Sequence, residues 1–377
     1  MADSITGAPG APPIVFTVTP GVTPGSAGNL INGILASFVA GGGPAVAITS
    51  QVSTPGTLNE VVTPGDYTIT YPGQYVYSEV GLSSTVTGSS HDTVLGGGDM
   101  TFNATGTNNE VVFSDGTNLY NGGTSSSDVI AAGSGYDTIN AGTGDNNTVF
   151  GGGHASISFD DSGPAGSGDI AYLGSGTNTV STGPGADTVV ANGGGNVIFG
   201  GSGTLTLVAE AYATPVTNTI DGASGGTTMF GGVNNDISFY SPASGTSADQ
   251  VFVAGAGNET LDGGASAGGF SYFGSADPTS ADSIIGGNAS SDYFQSGLGT
   301  ENFVLNGAAT LFDLTTSTGG HSVITIDNWN TALDTITGDT VGASFGTLPD
   351  GDVSLTLSDG TVVDFIGLTN PSQVHTK

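Results

Sequence analysis

The sequence predicts an all-β protein, a parallel β-solenoid (β-roll or β-helix-like) with a smaller N-terminal β-rich region and a C-terminal β cap. Three observations carry this. Gly occurs 67 times in 377 residues against only 16 Pro, while hydrophobic residues reach 36%. That balance is too apolar for a disordered linker and lacks the triplet of collagen. The glycines recur beside Val, Ile and Thr, as short strands joined by tight turns require. A unit of about nine residues then repeats through the middle of the chain, which marks an architecture whose copies cover one another by stacking.

The repeat reads as a small residue, then Asp, Asn or Glu, a small or polar residue, an aliphatic residue and a Gly-rich turn. It appears as HDTVLGGGD at His91, SDVIAAGSG at Ser127, YDTINAGTG at Tyr136, NNTVFGGGH at Asn146 and GDIAYLGSG at Gly168. It continues as TNTVSTGPG at Thr177, ADTVVANGGG at Ala186 and GNVIFGGSG at Gly195, with looser copies at Asn218, Asp236, Asp249, Glu259, Asp282, Asp292 and Glu301. Asn178, Asp187 and Asn196 are spaced 9 and 9 residues apart. Such a step holds a short strand and a tight turn, so two steps are expected to close one coil. Ile139, Val149, Val180, Val189 and Ile198 recur at nearly one phase and are expected to point inward as a ladder. Longer steps read as insertions or fuller rungs.

Charge sets the second bound. Against 33 acidic residues stands one base, Lys377. Without Arg or further Lys there is nothing to clamp phosphates, which argues against nucleic acid as a partner. An anionic membrane surface would repel the chain, and the mildly apolar stretch 29–47 is too short and too broken by Gly41, Gly42, Gly43 and Pro44 to span a bilayer; it reads as a buried helix or strand pair. Carboxylates crowded in a compact fold without counter-charges call for bound or condensed cations. There is no Cys, so neither disulfides nor thiol chemistry enters. The opening MADSITGAPG has no basic residue and no apolar core behind it, unlike a cleavable signal peptide.

Several copies resemble the nonapeptide G-G-x-G-x-D-x-U-x of the repeats-in-toxin family, U being a large apolar residue. TGPGADTVV (182–190) and AGSGYDTIN (132–140) match at every position but the first. LGSGTNTVS (173–181) carries Asn178 at the acidic position, AGAGNETLD (254–262) carries Glu259, and SGLGTENFV (296–304) carries Glu301. The resemblance implies Ca²⁺ held between successive turns by carbonyls and the acidic side chain, the hard oxygen ligands this ion prefers. Carried over position by position, Asp137 and Asp187 are the leading metal ligands, followed by Asn178, Glu259 and Glu301. Turns that face one another lie two repeats apart, so Asn178 is expected to face Asn196 and Asp187 to lack an acidic neighbour.

The ends differ from the middle. Residues 1–90 hold four of the acids (Asp3, Glu60, Asp66, Glu79) and read as an N-terminal β-rich region. It either caps the solenoid or joins copies, since an apolar end left bare adds strands edge to edge. Residues 91–305 form the Gly/Asp-rich solenoid and 306–377 the C-terminal cap. In the cap, Leu357, Asp359, Gly360, Thr361, Phe365 and Gly367 match an L-x-D-G-T-x-x-x-F-x-G hairpin. This resembles the terminus of type I secretion substrates, which implies uncleaved export from a bacterium to its exterior or surface.

No catalytic constellation emerges. His91, His154, His321 and His375 lack zinc spacing, and the first three sit in turn-like contexts. Asp160 and Asp161 are adjacent, so on a strand they point to opposite faces. The G-x-S-x-G at 222–226 has no strand-to-helix context. The sequence is therefore expected to encode an extracellular, calcium-stabilised structural protein whose partner is itself, assembling into a surface layer, filament or biofilm matrix. The alternative is a calcium-dependent adhesin that binds a surface or polysaccharide through Tyr71, Tyr75 and Tyr77. Neither expectation includes an enzyme.

Overall fold

A computed structural model describes residues 2–5, 14–17, 46–48, 51–52 and 58–377, apart from 79–80, 161–166, 243–247, 289–290, 315–321 and 339. The chain is nearly all β and forms a parallel β-solenoid of about 13 turns. It divides into two compact units, Met1–Ile198 and Phe199–Lys377.

In the first unit each coil lays one strand in each of two parallel sheets. Sheet I holds Leu58–Val61, Tyr75–Ser78, Thr93–Gly96, Glu110–Phe113, Val129–Ala131, Thr148–Gly151, Ile170–Leu173 and Ala186–Ala191. Sheet II holds Gly65–Ile69, Ser84–Thr87, Met100–Asn103, Leu119–Asn121, Tyr136–Gly142, His154–Phe159 and Thr179–Ser181. Glu110 stands on Val129, a coil of 19 residues (129 − 110), and Ile170 on Thr188, one of 18 (188 − 170). Two nine-residue steps do close one coil.

The apolar residues fill the interior as two facing ladders. Val149, Ala171 and Val189 are in register on sheet I, and Ile139, Ile157 and Val180 on sheet II, all buried. The single ladder expected from the sequence is thus split between the sheets, because alternate steps supply alternate walls. Parallel coils also run through the expected boundary at 90: Val46–Ile48 pairs with Leu58–Val61, which pairs with Tyr75–Ser78, which pairs with Thr93–Gly96. Gly65–Ile69 and Tyr75–Ser78 lie in different sheets, separated by the turn at Pro72 and Gly73. Most of 29–47 lies outside the described residues.

In the second unit the coil length varies, with Asp292 standing on Thr310, 18 residues on (310 − 292). Ser271 stands on Tyr293, 22 residues on (293 − 271), and Thr260 on Ser283, 23 on (283 − 260). Aromatic rings supply much of the close-packed interior of this unit. Phe252, Phe270, Tyr272, Phe294, Phe303 and Phe312 are fully buried there, with Phe294 and Phe303 stacked at 5.0 Å and Phe303 edge-on to Phe312 at 5.3 Å. At its end the parallel order stops. Val362–Phe365 pairs in parallel with Val323–Asp327 but antiparallel with Val353–Thr356, which pairs antiparallel with Ser344–Thr347. The D-G turn predicted at Asp359 and Gly360 joins the inner hairpin: Gly360 has φ +94°, and Thr361 N–H donates to Asp359 Oδ1 at 2.9 Å.

Candidate functional site

The acidic position of each repeat lies just before a strand or among its first residues, as Asp137 does in Tyr136–Gly142 and Asp187 in Ala186–Ala191, with its side chain buried. In the first unit these residues form a continuous ladder ahead of sheet I. The backbone N–H of Gln74 donates to Asp92 Oδ1 (3.0 Å), Asp92 to Asn109 (3.1 Å), Asn109 to Asp128 (2.7 Å) and Asp128 to Asn147 (3.0 Å). Asn147 then donates to Asp169 (2.7 Å) and Asp169 to Asp187 (2.8 Å). A second run precedes sheet II: Asn118 N–H donates to Asp137 Oδ1 (3.2 Å), Ala155 to Asn178 (3.0 Å) and Asn178 to Asn196 (3.0 Å). Asn178 therefore faces Asn196 as expected. Asp187 does not lack an acidic neighbour: it faces Asp169, in a copy whose Gly166-Ser167-Gly168 sits one residue closer to the acid than the motif places its G-x-G.

The second polar atom of each side chain closes its own turn, and this separates Asp from Asn. Where the turn presents an N–H, the residue is acidic: Gly133 N–H donates to Asp137 Oδ2 (2.8 Å), Gly183 to Asp187 Oδ2 (2.9 Å) and Gly297 to Glu301 Oε1 (2.7 Å). Where the turn presents a carbonyl, the residue is Asn: Asn147 Nδ2 donates to Gly144 O (2.8 Å), Asn196 to Gly193 O (3.1 Å) and Asn178 to Gly176 O (3.4 Å). The alternation that looks like degeneracy in the sequence follows donor and acceptor matching in the turns. The residue before the ladder position takes the left-handed conformation at His91, Asn108, Ser127 and Asn146, with φ between 59° and 64°. Asn and Gly are the residues that adopt it most readily.

Burial dominates the electrostatics. Asp92, Asp128, Asp137 and Asp334 are raised above the usual carboxylate range by desolvation, opposed by the hydrogen bonds they accept. Asp292 is pushed up to about 6 for the same reason, its oxygens taking N–H bonds from Phe270 and Gly287. In the second unit Glu259, Asp282 and Glu301 stack on successive coils, all buried. Glu259 N–H donates to Asp282 Oδ1 at 3.0 Å. Tyr272 reaches across the core to donate to Asp282 Oδ2 (2.6 Å) and lies 3.2 Å from Glu301 Oε1. Desolvation, then the Asp282 charge, pushes Glu301 up to about 8. Desolvation and the same neighbour raise Glu259. Tyr120 makes the matching contact in the first unit, donating to Asp128 Oδ2.

The residues that the family resemblance assigns to Ca²⁺ fall into two groups as folded. Asp137, Asp187 and Asn178 each accept backbone N–H bonds inside the coil, and Asp187 lies in a strand of sheet I while Asp137 and Asn178 lie at the start of strands of sheet II. Glu259 and Glu301 do have buried oxygens without hydrogen-bond partners, both of Glu259 and Oε2 of Glu301. Yet among the described residues no three acidic or histidine side chains are arranged to hold a metal ion. Asp92, Asp128, Asp169, Asp282 and Asp292 occupy the same ladders and belong to repeat copies, but they lack the full glycine motif that singled out the others. Asp334 was legible only as the D-T-I of 334–336.

The remaining candidates scatter. Tyr71 is 51% exposed, Tyr75 is half-buried and Tyr77 is buried, so they form no common platform. His91 occupies a turn, but His154 opens the strand His154–Phe159 instead of lying in a loop. His321 lies outside the described residues. No helix among the described residues is long and apolar enough to cross a membrane. Fold and ladders together define a parallel β-solenoid with internally stapled turns. No protein-family model matches the chain, and no curated protein matches it.

Proposed function

We propose that this chain is a secreted bacterial structural protein that assembles with copies of itself into a surface layer, filament or biofilm matrix. The observation that carries the reading is the strand Ser344–Thr347. Among the described residues it has one partner strand, all four of its own residues are exposed, and it contains neither a charge nor a proline. Phe345 is 44% exposed within it and Val341 89% exposed beside it. Folded proteins ordinarily protect an edge by charge, proline or cover; a bare one suits strand addition by a second copy. The lack of zinc spacing among the four histidines of the sequence supports a non-enzymatic role, and the hairpin at Asp359 and Gly360 supports type I export.

Calcium enters this reading as a counter-ion. A formal charge of −32 opposes any association of copies, and divalent ions on exposed carboxylates such as Asp115, Asp160 and Asp221 would relieve it. The test is electron microscopy and light scattering of the purified chain with millimolar Ca²⁺ and with chelator. Extended assemblies favoured by Ca²⁺ are expected. Monodisperse monomers under both conditions would overturn the reading.

A further inference from the structure

Sheet II of the first unit turns a flat polar face to solvent. From Ser84–Thr87 to Thr179–Ser181 its outward column runs Thr85, Thr101, Leu119, Thr138, Ser156 and Thr179 in register. A parallel column carries Asn103, Asn121 and Asn140, whose amides bond in series: Asn121 Nδ2 donates to Asn103 Oδ1 (2.9 Å) and Asn140 Nδ2 to Asn121 Oδ1 (3.0 Å). None of these strand positions is acidic, in a chain with 33 acids; the column meets an acid only at the rung before Thr85, where Asp66 stands. Beside them the Tyr136 ring is 68% exposed and stacks on His154 at 4.9 Å with 12° between planes. His154 Nδ1 in turn hydrogen-bonds Thr177 Oγ1 at 2.6 Å, which fixes the imidazole under the tyrosine. An exposed aromatic held flat at the margin of the face has no role in the core.

We infer that the Tyr136–His154 stack and the adjoining hydroxyl and amide columns form a binding face for a neutral polysaccharide. A pyranose ring offers an apolar C–H face that stacks on an aromatic ring. Its hydroxyls both donate and accept, as Thr, Ser and Asn side chains do. Coils about 4.8 Å apart repeat the same groups, so the face suits an extended chain better than a single sugar. Charge selects the neutral class: the sequence has no Arg and only one Lys to meet uronates or sulfates, and its net charge repels them. This site is separate from Tyr71, Tyr75 and Tyr77.

The experiment is binding of the full chain to cellulose, dextran and mannan, with alginate as the acidic comparison. Wild-type protein is expected to bind at least one neutral glycan and to leave alginate free. Tyr136→Ala should weaken binding at least tenfold with an unchanged circular-dichroism spectrum. Ser156→Asp, which puts a charge on the face without touching the stack, should weaken it too. Binding to none of the neutral glycans, equal binding to alginate, or full binding by Tyr136→Ala would each overturn the inference. Self-assembly is read separately by microscopy, so either idea can fail alone.

Discussion

The backbone N–H of Asp169 donates to Oδ1 of Asp187 at 2.8 Å, one coil later in the chain, while the other oxygen of Asp187 takes the Gly183 N–H at 2.9 Å. One buried carboxylate thus fastens a coil to its neighbour and closes its own turn. Removing it leaves two N–H groups without that acceptor, each costing about 1–3 kcal/mol. Asp187→Ala should therefore destabilise by about 2–5 kcal/mol in urea unfolding. Asp187→Asn keeps the coil-to-coil acceptor and should cost less than half as much; equal losses would show that the ladder bond contributes nothing.

Stability should fall as pH rises. Glu301 ionises near 4.5 when unfolded and is pushed up to about 8 when folded, so between these values the unfolded chain releases a proton that the folded one retains. The contribution is fully present below about 4.5 and is lost as pH rises through about 8, on the order of 5 kcal/mol. Asp292, shifted from 3.8 to about 6, adds loss of the same sign at lower pH. Urea midpoints at pH 4, 6 and 8.5 should decline in that order. Glu301→Gln, which cannot ionise, should flatten the decline between 6 and 8.5.

Ser127 occupies the left-handed region at φ 59° just before the ladder residue Asp128. A non-glycine residue there costs roughly 1–2 kcal/mol, some of which glycine recovers against its greater freedom when unfolded. Ser127→Gly should stabilise by about 0.5–1 kcal/mol, seen as a higher thermal midpoint. A lower midpoint would mean that the Ser127 side chain does more than occupy the turn.

Close approach constrains Gly176 differently. A Cβ there would overlap the Gly153 carbonyl oxygen of the preceding coil, whereas at Gly342, with φ +81°, it would meet nothing within 4 Å. Gly176→Ala must push adjacent coils apart and should cost at least about 3 kcal/mol, as overpacked cores do. Gly342→Ala should cost only the backbone strain, about 1 kcal/mol. Paired denaturation curves give the comparison directly.

Because Asp137 and Asp187 are held by N–H groups, chelator should leave the far-ultraviolet circular dichroism unchanged. Ca²⁺ should raise the thermal midpoint no more than Mg²⁺ at equal concentration, as screening of exposed carboxylates predicts. A rise specific to Ca²⁺ and abolished by Asp137→Asn would show that the repeat acids hold the ion after all.

The β-solenoid itself was legible in the sequence, because its cause is local. Nine residues make a strand and a turn, and Ile139, Val149, Val180 and Val189 recur at the phase that buries them. The terminal hairpin was legible for the same reason, since the Asp359 side chain bonds within its own turn. What the acids do was not, because their partners lie on another coil: Asn118 for Asp137, 19 residues away, and Asp169 for Asp187, 18 away. Stacking decides which N–H each of these side chains meets on the next coil and which carboxylates stand together, as Glu259, Asp282 and Glu301 do. It also placed Tyr136 on His154, from strands a full coil apart. Periodicity sets the coil; the register between coils sets the chemistry.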